Sequence, residues 1–347
     1  MGQATSVLRG RIHQRQLPPT VVSGVFDDPV ATRRAIASTG PFRHVAATMP
    51  GAAANAQSER IRLAATKAAS RRNDAYDAPL SSFAMFRGTL ALNGPVKPGA
   101  EAILQHPVLI AGAREDCPSG IVRPYLLLAN LMVSGVTLPA HADTPNFRGM
   151  SSDTHPGWLL VTMLRSGLFD EWYQPTATAV AWLYDGPGGE FEYWQDGPAN
   201  PPAVEGALHN KALIGDNSYM YHRVRVVGSG GPVQLPPGDV TTMALEQTTE
   251  DTWRISAPDG SSATLSDSSI RISLLWKALV FADEAERRRY DEHEDDLTTE
   301  MAVDRLMADL SRRGIALPEP GPDPLQNEAL IEILAEAYPM PELASAA

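Results

Sequence analysis

The chain has 347 residues, 43% of them hydrophobic, and a formal net charge of −12. That length is ample for a sizeable core and fits a single long all-β domain as well as two average ones. Its one cysteine, Cys117, excludes an intrachain disulfide, and no run approaches about 18 uninterrupted apolar residues, so a cytoplasmic protein with no membrane span is expected.

The charge is unevenly spread. Residues 1–72 hold eleven Lys/Arg against three Asp/Glu, and no Lys or Arg follows Arg313. Without aromatic interleaving or a binding motif, this basic arm argues against a nucleic-acid partner and for packing on the acidic C-terminal part. The N-terminus lacks the apolar core of a secretory signal, and the match of Met1–Ser6 to a myristoylation pattern reads as coincidence.

In chain order, Asp28-Pro29 predicts an N-cap and first helical position for a helix over Val30–Ser38. Alanine-rich Ala52–Arg72 predicts a second helix. Strands are expected over Phe83–Leu92, Ala102–Ile110 and Tyr125–Val136, then Leu138–Asp143 as a strand end. Thr144–Gly149 reads as a loop at the mouth of a site, and Trp158–Leu164 as helix. Ala177–Tyr184 reads as a buried strand, Asp185–Gly189 as a turn, and Glu190–Trp194 as a polar/aromatic alternating strand. Asn210–Ile214 and Met220–Val227 follow as strands. Residues 228–267 read as an inserted set of hairpins, a lid or an interface, before a last core strand over Ile270–Phe281. Ala282–His293, Leu297–Arg313 (with Met301, Leu306, Met307 and Leu310 as one stripe) and Pro324–Tyr338 read as helices. The implied organisation is 1–119 as helices and leading strands, 120–281 as a β core and 282–347 as a helical tail, a device suited to homodimerisation.

His141 and Asp143, one residue apart, project from one face of a strand end. With His222 they supply two imidazoles and a carboxylate, the donor set of a facial triad for non-haem iron. The pattern His293-Glu294-Asp295 is a decoy in an acidic helical stretch with no histidine after it, and His155, beside Pro156, is poorly placed as a ligand. Further on, Arg271 and Ser273 set a guanidinium and a hydroxyl two residues apart on one strand.

This order of parts resembles the Fe(II)/2-oxoglutarate-dependent oxygenase superfamily. Gly188-Gly189-Glu190-Phe191 is similar to the Gly-Gly-Glu-Leu strand that many members carry, and Arg271-Ile272-Ser273 to their Arg-x-Ser pair. The resemblance covers residues 120–281 and implies a mainly β fold, a double-stranded β-helix (a cupin-like jelly roll) flanked by N- and C-terminal helices. It implies Fe(II) on His141, Asp143 and His222, with 2-oxoglutarate gripped by Arg271 and Ser273 and O2 as oxidant. Lys277 is the fallback anchor for the cosubstrate. The implied activity is a dioxygenase, a hydroxylase in particular, oxidising a small molecule with release of succinate and CO2; the intact Asp143 argues against halogenation. Arg123, Tyr125, Phe147, Arg148, Tyr193 and Arg225 are candidates to line the substrate pocket, and their arginines favour an anionic substrate. A cupin-like metal enzyme without 2-oxoglutarate, or a β-sandwich binding protein with incidental histidines, are the competing readings.

Overall fold

A computed structural model describes residues 19–48, 84–115, 120–229, 231–319, 321 and 323–345. The helix expected over Ala52–Arg72, most of the basic arm and Cys117 lie outside the described residues. The first strands and helices are β1 (Thr20–Ser23), α1 (Pro29–Ala37), β2 (Phe42–His44) and β3 (Met85–Leu92). Helix α1 begins as its sequence dictates, the Asp28 side chain accepting from the Ala31 amide with Pro29 at the first helical position.

Residues 102–110 form two short helices, α2 (Glu101–Leu104) and α3 (Pro107–Ala113), where a strand was expected. Pro107 cannot donate to a ladder but suits the first turn of a helix, and a short apolar run does not by itself separate strand from buried helix. Leu109 and Ala113 on α3 are buried against the sheet.

The core follows: β4 (Ile121–Val133), β5 (Leu138–His141), β6 (Asn146–Phe147), α4 (Gly157–Ser166), β7 (Tyr173–Gln174), β8 (Thr176–Leu183), β9 (Phe191–Tyr193), β10 (Ala203–Glu205), β11 (Lys211–Gly215), β12 (His222–Val224), β13 (Ala244–Thr249), β14 (Thr252–Ser256), β15 (Ser262–Ser266) and β16 (Ile270–Phe281). One antiparallel sheet has the order β1-β11-β8-β16-β4-β3-β2-β13-β14-β15, and a second has the order β10-β9-β12-β5. Apart from the β9–β10 hairpin, successive core strands alternate between the sheets, so β11-β8-β16-β4 faces β10-β9-β12-β5 across one interior. That is the double-stranded β-helix.

Alternation along β16 sorts its side chains. Ile272, Leu274, Trp276, Ala278 and Val280 join a large cluster with α1, α2 and α3 on the outer side of the ten-stranded sheet. Arg271, Ser273, Leu275 and Lys277 therefore face the interior between the sheets. The interior is lined by Met85, Met132, Val180, Trp182, Phe191, Tyr193 and Val224.

Residues 228–267 leave and rejoin the core at one place. The Gly228 amide donates to Pro187, while the Ser134 amide donates to the Ser269 carbonyl, and a Cβ on Gly228 would lie 2.6 Å from Ser134 Oγ. Between these points β13, β14 and β15 form a meander that extends the large sheet through β2. Arg33, in the expected basic arm, pairs with Asp267 at 2.8 Å, and Arg34 with Glu250. The described arm thus meets the acidic groups of the insertion, not the C-terminal tail.

The tail forms α5 (Glu284–Asp291), α6 (Thr299–Arg312) and α7 (Glu328–Ala337). Their apolar faces are covered within the chain: Leu297, Ala302, Val303, Leu306, Leu310, Leu330 and Leu334 pack with Leu159, Leu160 and Met163 of α4. Met301, expected in that stripe, is 44% exposed, because Ala302, Val303, Leu306 and Leu310 set the buried face instead. No described helix is long and apolar enough to cross a membrane.

Candidate metal centre

The pairing of β12 with β5 sets His222 directly opposite His141. Asp143 follows β5 by two residues, and its amide donates to the Asn217 carbonyl at 2.8 Å, which fixes the turn that aims the carboxylate inward. One donor atom from each of His141, Asp143 and His222 lies within 4.8 Å of the others. His222 Nε2 stands 3.8 Å from Asp143 Oδ1, and the two imidazole rings are 4.3 Å apart at 55°.

Both imidazoles are oriented by the main chain. His141 Nδ1 lies 2.8 Å from the Pro139 carbonyl and His222 Nδ1 3.0 Å from that of Met220. A carbonyl only accepts, so each Nδ1 carries the proton and each Nε2 presents a lone pair. Burial, with His141 alongside, holds the His222 imidazole neutral by pushing its pKa down to about 4. Burial alone would raise the Asp143 carboxyl, but Lys277, His222 and His141 outweigh it and hold it well below the usual carboxylate range. Two imidazoles and one carboxylate on one side of a point suit a divalent cation with open positions opposite.

Lys277, the fallback anchor, is paired with Asp143 Oδ2 at 2.7 Å. Arg271 is 1% exposed; its Nε donates to the Gly189 carbonyl at 2.9 Å and its Nη1 stands 3.5 Å from Ser273 Oγ. Its Nη2 is buried with no hydrogen-bond partner, as is Trp182 Nε1, which lies opposite Ser273 in the sheet. A buried donor without an acceptor is costly, so this end of the interior fits an anionic group. The glycines of the β8–β9 turn serve this arrangement. Gly188 and Gly189 have φ of 68° and 71°, and a Cβ on Gly189 would lie 2.8 Å from Arg271 Cδ. With residues 228–267 set aside, the 49 positions from His222 to Arg271 shrink to nine.

Among the pocket candidates, Tyr193 lies opposite His222 in the β9–β12 pairing, on the interior face. Tyr125 is held by Asn146 at 3.1 Å, near Lys277 and Asp143, whose charges act on its hydroxyl. Phe147 is only 3% exposed and packs on Phe169 and Tyr173 in the helical cluster, away from the interior. The three arginines chosen for an anionic substrate are engaged elsewhere. Arg123 pairs with Asp291 at 2.6 Å on α5 and lies over the Phe281 and Tyr290 rings. Arg225 and Arg223 flank Glu192 on the outer face of the small sheet, since alternation from His222 turns odd positions outward. Arg148, 3% exposed, grips Asp295 through two nitrogens at 2.7 and 2.8 Å and donates to the Glu171 carbonyl. Arg148→Met is accordingly expected to lower the thermal midpoint by about 1–2 °C for each kcal/mol lost and to leave 2-oxoglutarate affinity unchanged, as calorimetry and anaerobic titration would show.

Residues missed in the sequence complete the interior. Arg87 on β3 and Asn130 on β4 stand in one row with Ser273 and Trp182. Next to Asn217, Asp216 accepts from the Tyr173 hydroxyl and the Ser218 amide, and burial pushes its carboxyl up to about 6 against the opposing pull of those bonds and Lys277. Tyr219 stacks edge-on against Tyr173 at 5.0 Å. The folded protein retains a proton that the unfolded chain, with a carboxyl near 3.8, releases. This contribution to stability is therefore full below about pH 4 and is lost as pH rises through about 6. Asp216→Asn should flatten that decline, so the variant gains stability over the parent at pH 7.5 but not at pH 4, on the order of 1–3 kcal/mol in chemical denaturation.

No protein-family model and no curated protein sequence matches the chain. Solved structures do align with it. An oxidoreductase of the 2OG-Fe(II) oxygenase family from Burkholderia pseudomallei is 10% identical, with 82% of this chain and 93% of that one covered and a TM-score of 0.39. HygX from Streptomyces hygroscopicus, solved with nickel and 2-oxoglutarate bound, is 10% identical over 80% and 87% of the two chains at a TM-score of 0.38. A Pseudomonas putida prolyl-4-hydroxylase is 11% identical over 79% and 97% at 0.34. The class defined by fold and site together is a double-stranded β-helix with a His-x-Asp…His donor set on its interior face.

Proposed function

We propose that the protein is a non-haem Fe(II)/2-oxoglutarate-dependent dioxygenase that hydroxylates a small molecule. One observation carries this reading: a His-x-Asp…His donor set and a buried arginine with an unused donor face the same interior from opposite sheets. In this reading His141, Asp143 and His222 hold Fe(II), and Arg271 with Ser273 takes the distal carboxylate of 2-oxoglutarate through a fork of charge-assisted hydrogen bonds. When bound, the metal and cosubstrate supply O2-dependent oxidation: substrate, O2 and 2-oxoglutarate give hydroxylated substrate, succinate and CO2.

The chain's own groups have defined tasks. The Pro139 and Met220 carbonyls keep both Nε2 lone pairs aimed inward. Lys277 holds the Asp143 carboxylate through its Oδ2. Phe191, stacked on His222 at 5.4 Å, and Tyr193 keep water off the imidazoles. Asp143 as a third ligand leaves no place for a halide, which suits hydroxylation. The test is anaerobic addition of Fe(II) and 2-oxoglutarate to metal-free protein, read by the weak visible charge-transfer band of a chelated cosubstrate. A band that depends on His222 and Arg271 supports the proposal. Metal binding without a band favours a cupin-like metal enzyme lacking 2-oxoglutarate, and no metal binding removes the metal reading altogether.

A further inference from the structure

Arg87 lies outside every motif of the sequence, yet the register of four strands carries it into the interior. Arg87 on β3 pairs with Asn130 on β4, Asn130 with Ser273 on β16, and Ser273 with Trp182 on β8. Residues directly opposite in a ladder share a face. Trp182 belongs to the interior cluster, so the whole row faces inward. The Arg87 Nε donates to Asn130 Oδ1 at 2.8 Å, which points the guanidinium along this row. Asp143 is near enough for its charge to act on Arg87.

What distinguishes Arg87 from the other interior cations is its lack of an anion. Lys277 has Asp143, and Arg271 has the place the proposed cosubstrate carboxylate would take. Arg87 has a neutral amide, and no described carboxylate lies within ion-pair distance of it. Its surroundings penalise the charge: desolvation lowers the pKa to about 10, with Asp143 acting in the opposite sense. Arg87 is half-buried and held by Asn130 through Nε, and neither Nη has a hydrogen-bond partner among the described residues, so the guanidinium is preorganised for a bidentate acceptor. Charge balance agrees. Fe(II) and the doubly charged 2-oxoglutarate cancel, Lys277 and Asp143 cancel, and Asp216, ionised above about pH 6, offsets one of the two charges on Arg271 and Arg87, which leaves the interior with one net positive charge.

We infer that Arg87, positioned by Asn130, is the substrate-anchoring residue, gripping a carboxylate of the small-molecule substrate beside the metal and apart from the Arg271–Ser273 station. The inference rests on the proposed cosubstrate chemistry and deepens it by naming the substrate class, a carboxylic acid. It also relocates the anionic preference from Arg123, Arg148 and Arg225, which are engaged in ion pairs, to a residue that is not.

The experiment uses full-length protein loaded anaerobically with Fe(II) and 2-oxoglutarate. Acetate is titrated as the probe, acetamide as its neutral control, and binding is read by calorimetry alongside the visible band. Acetate should bind the parent in the millimolar range and acetamide should not. Arg87→Ala should weaken acetate at least tenfold while the 2-oxoglutarate dissociation constant stays within twofold. Asn130→Asp, which keeps the side-chain size and gives Arg87 an internal carboxylate, should also abolish acetate binding, so the result does not depend on how well Arg87→Ala folds. A tenfold loss of 2-oxoglutarate affinity in Arg87→Ala would place Arg87 in the cosubstrate clamp and overturn the inference. Acetate binding that is absent in the parent, or unchanged in both variants, would overturn it while leaving the cosubstrate reading intact. Failure of the parent to bind 2-oxoglutarate would remove both.

Discussion

His222→Ala, purified and reconstituted anaerobically, is expected to hold no stoichiometric Fe(II) and to release no succinate from 2-oxoglutarate. The ligand set is small, and each member is fixed by a different device. His141 and Asp143 come from one strand end and its turn, whereas His222 alone ties the donor set to the neighbouring strand β12. Losing an outer partner of a metal ligand costs about 10–100-fold in affinity, and removing the ligand itself must cost more. The effect should be almost entirely local. His222 is 4% exposed and neutral at physiological pH, so truncation leaves no buried charge, and the ring's packing on Phe191 is the main structural loss. Metal content by atomic absorption should fall to background while the thermal midpoint of the metal-free protein moves by only a few degrees. Retained stoichiometric iron in this variant would show that the metal lies elsewhere. Loss of the folded transition would mean the ring holds β12 in place and not the metal.

The parts of this architecture that were legible in the sequence are those encoded locally. The His141–Asp143 pairing is readable from strand alternation over three residues, although β5 itself ends at His141 and the turn held by the Asn217 carbonyl aims the carboxylate. Gly188-Gly189 advertises a turn with left-handed backbone, and the structure adds that Arg271 packs where a side chain at Gly189 would be. Alternation was also available for Arg225, an odd number of positions from His222 and hence outward. Proximity in sequence overrode it. Arg123 and Arg148 could not be judged locally, because their partners Asp291 and Asp295 lie 168 and 147 residues further on, in the helical tail. Arg87 was invisible for the same reason in reverse: it enters the interior through pairing with Asn130, 43 positions away. The Ala102–Ile110 segment shows the remaining limit, a short apolar run whose identity is decided by Pro107 and by packing on the sheet, not by periodicity.

Arg271→Ala is expected to raise the 2-oxoglutarate dissociation constant by about 100-fold or more while leaving iron content unchanged. Arg271 is anchored on one side only: Nε meets the Gly189 carbonyl, and Nη1 is at the edge of hydrogen-bond range from Ser273. Nη2 has no acceptor. A carboxylate arriving there would take a charge-assisted bond from Nη2 and a second from Nη1 or the Ser273 hydroxyl, each worth about 1.5–3 kcal/mol, and two such bonds account for the expected factor. Arg271→Lys should recover only part of it, since an ammonium keeps the charge but not the planar fork. Ser273→Ala should cost about tenfold, one neutral donor's share. The contrast with Lys277 decides the assignment. Lys277 is paired with Asp143, so Lys277→Ala should disturb metal content first and cosubstrate affinity only as a consequence. If Lys277→Ala instead weakens 2-oxoglutarate with iron intact, and Arg271→Ala does not, the cosubstrate carboxylate sits at the metal end of β16. Arg271 would then be a structural brace for the Gly188-Gly189 turn, and its unused nitrogen would mark no binding site.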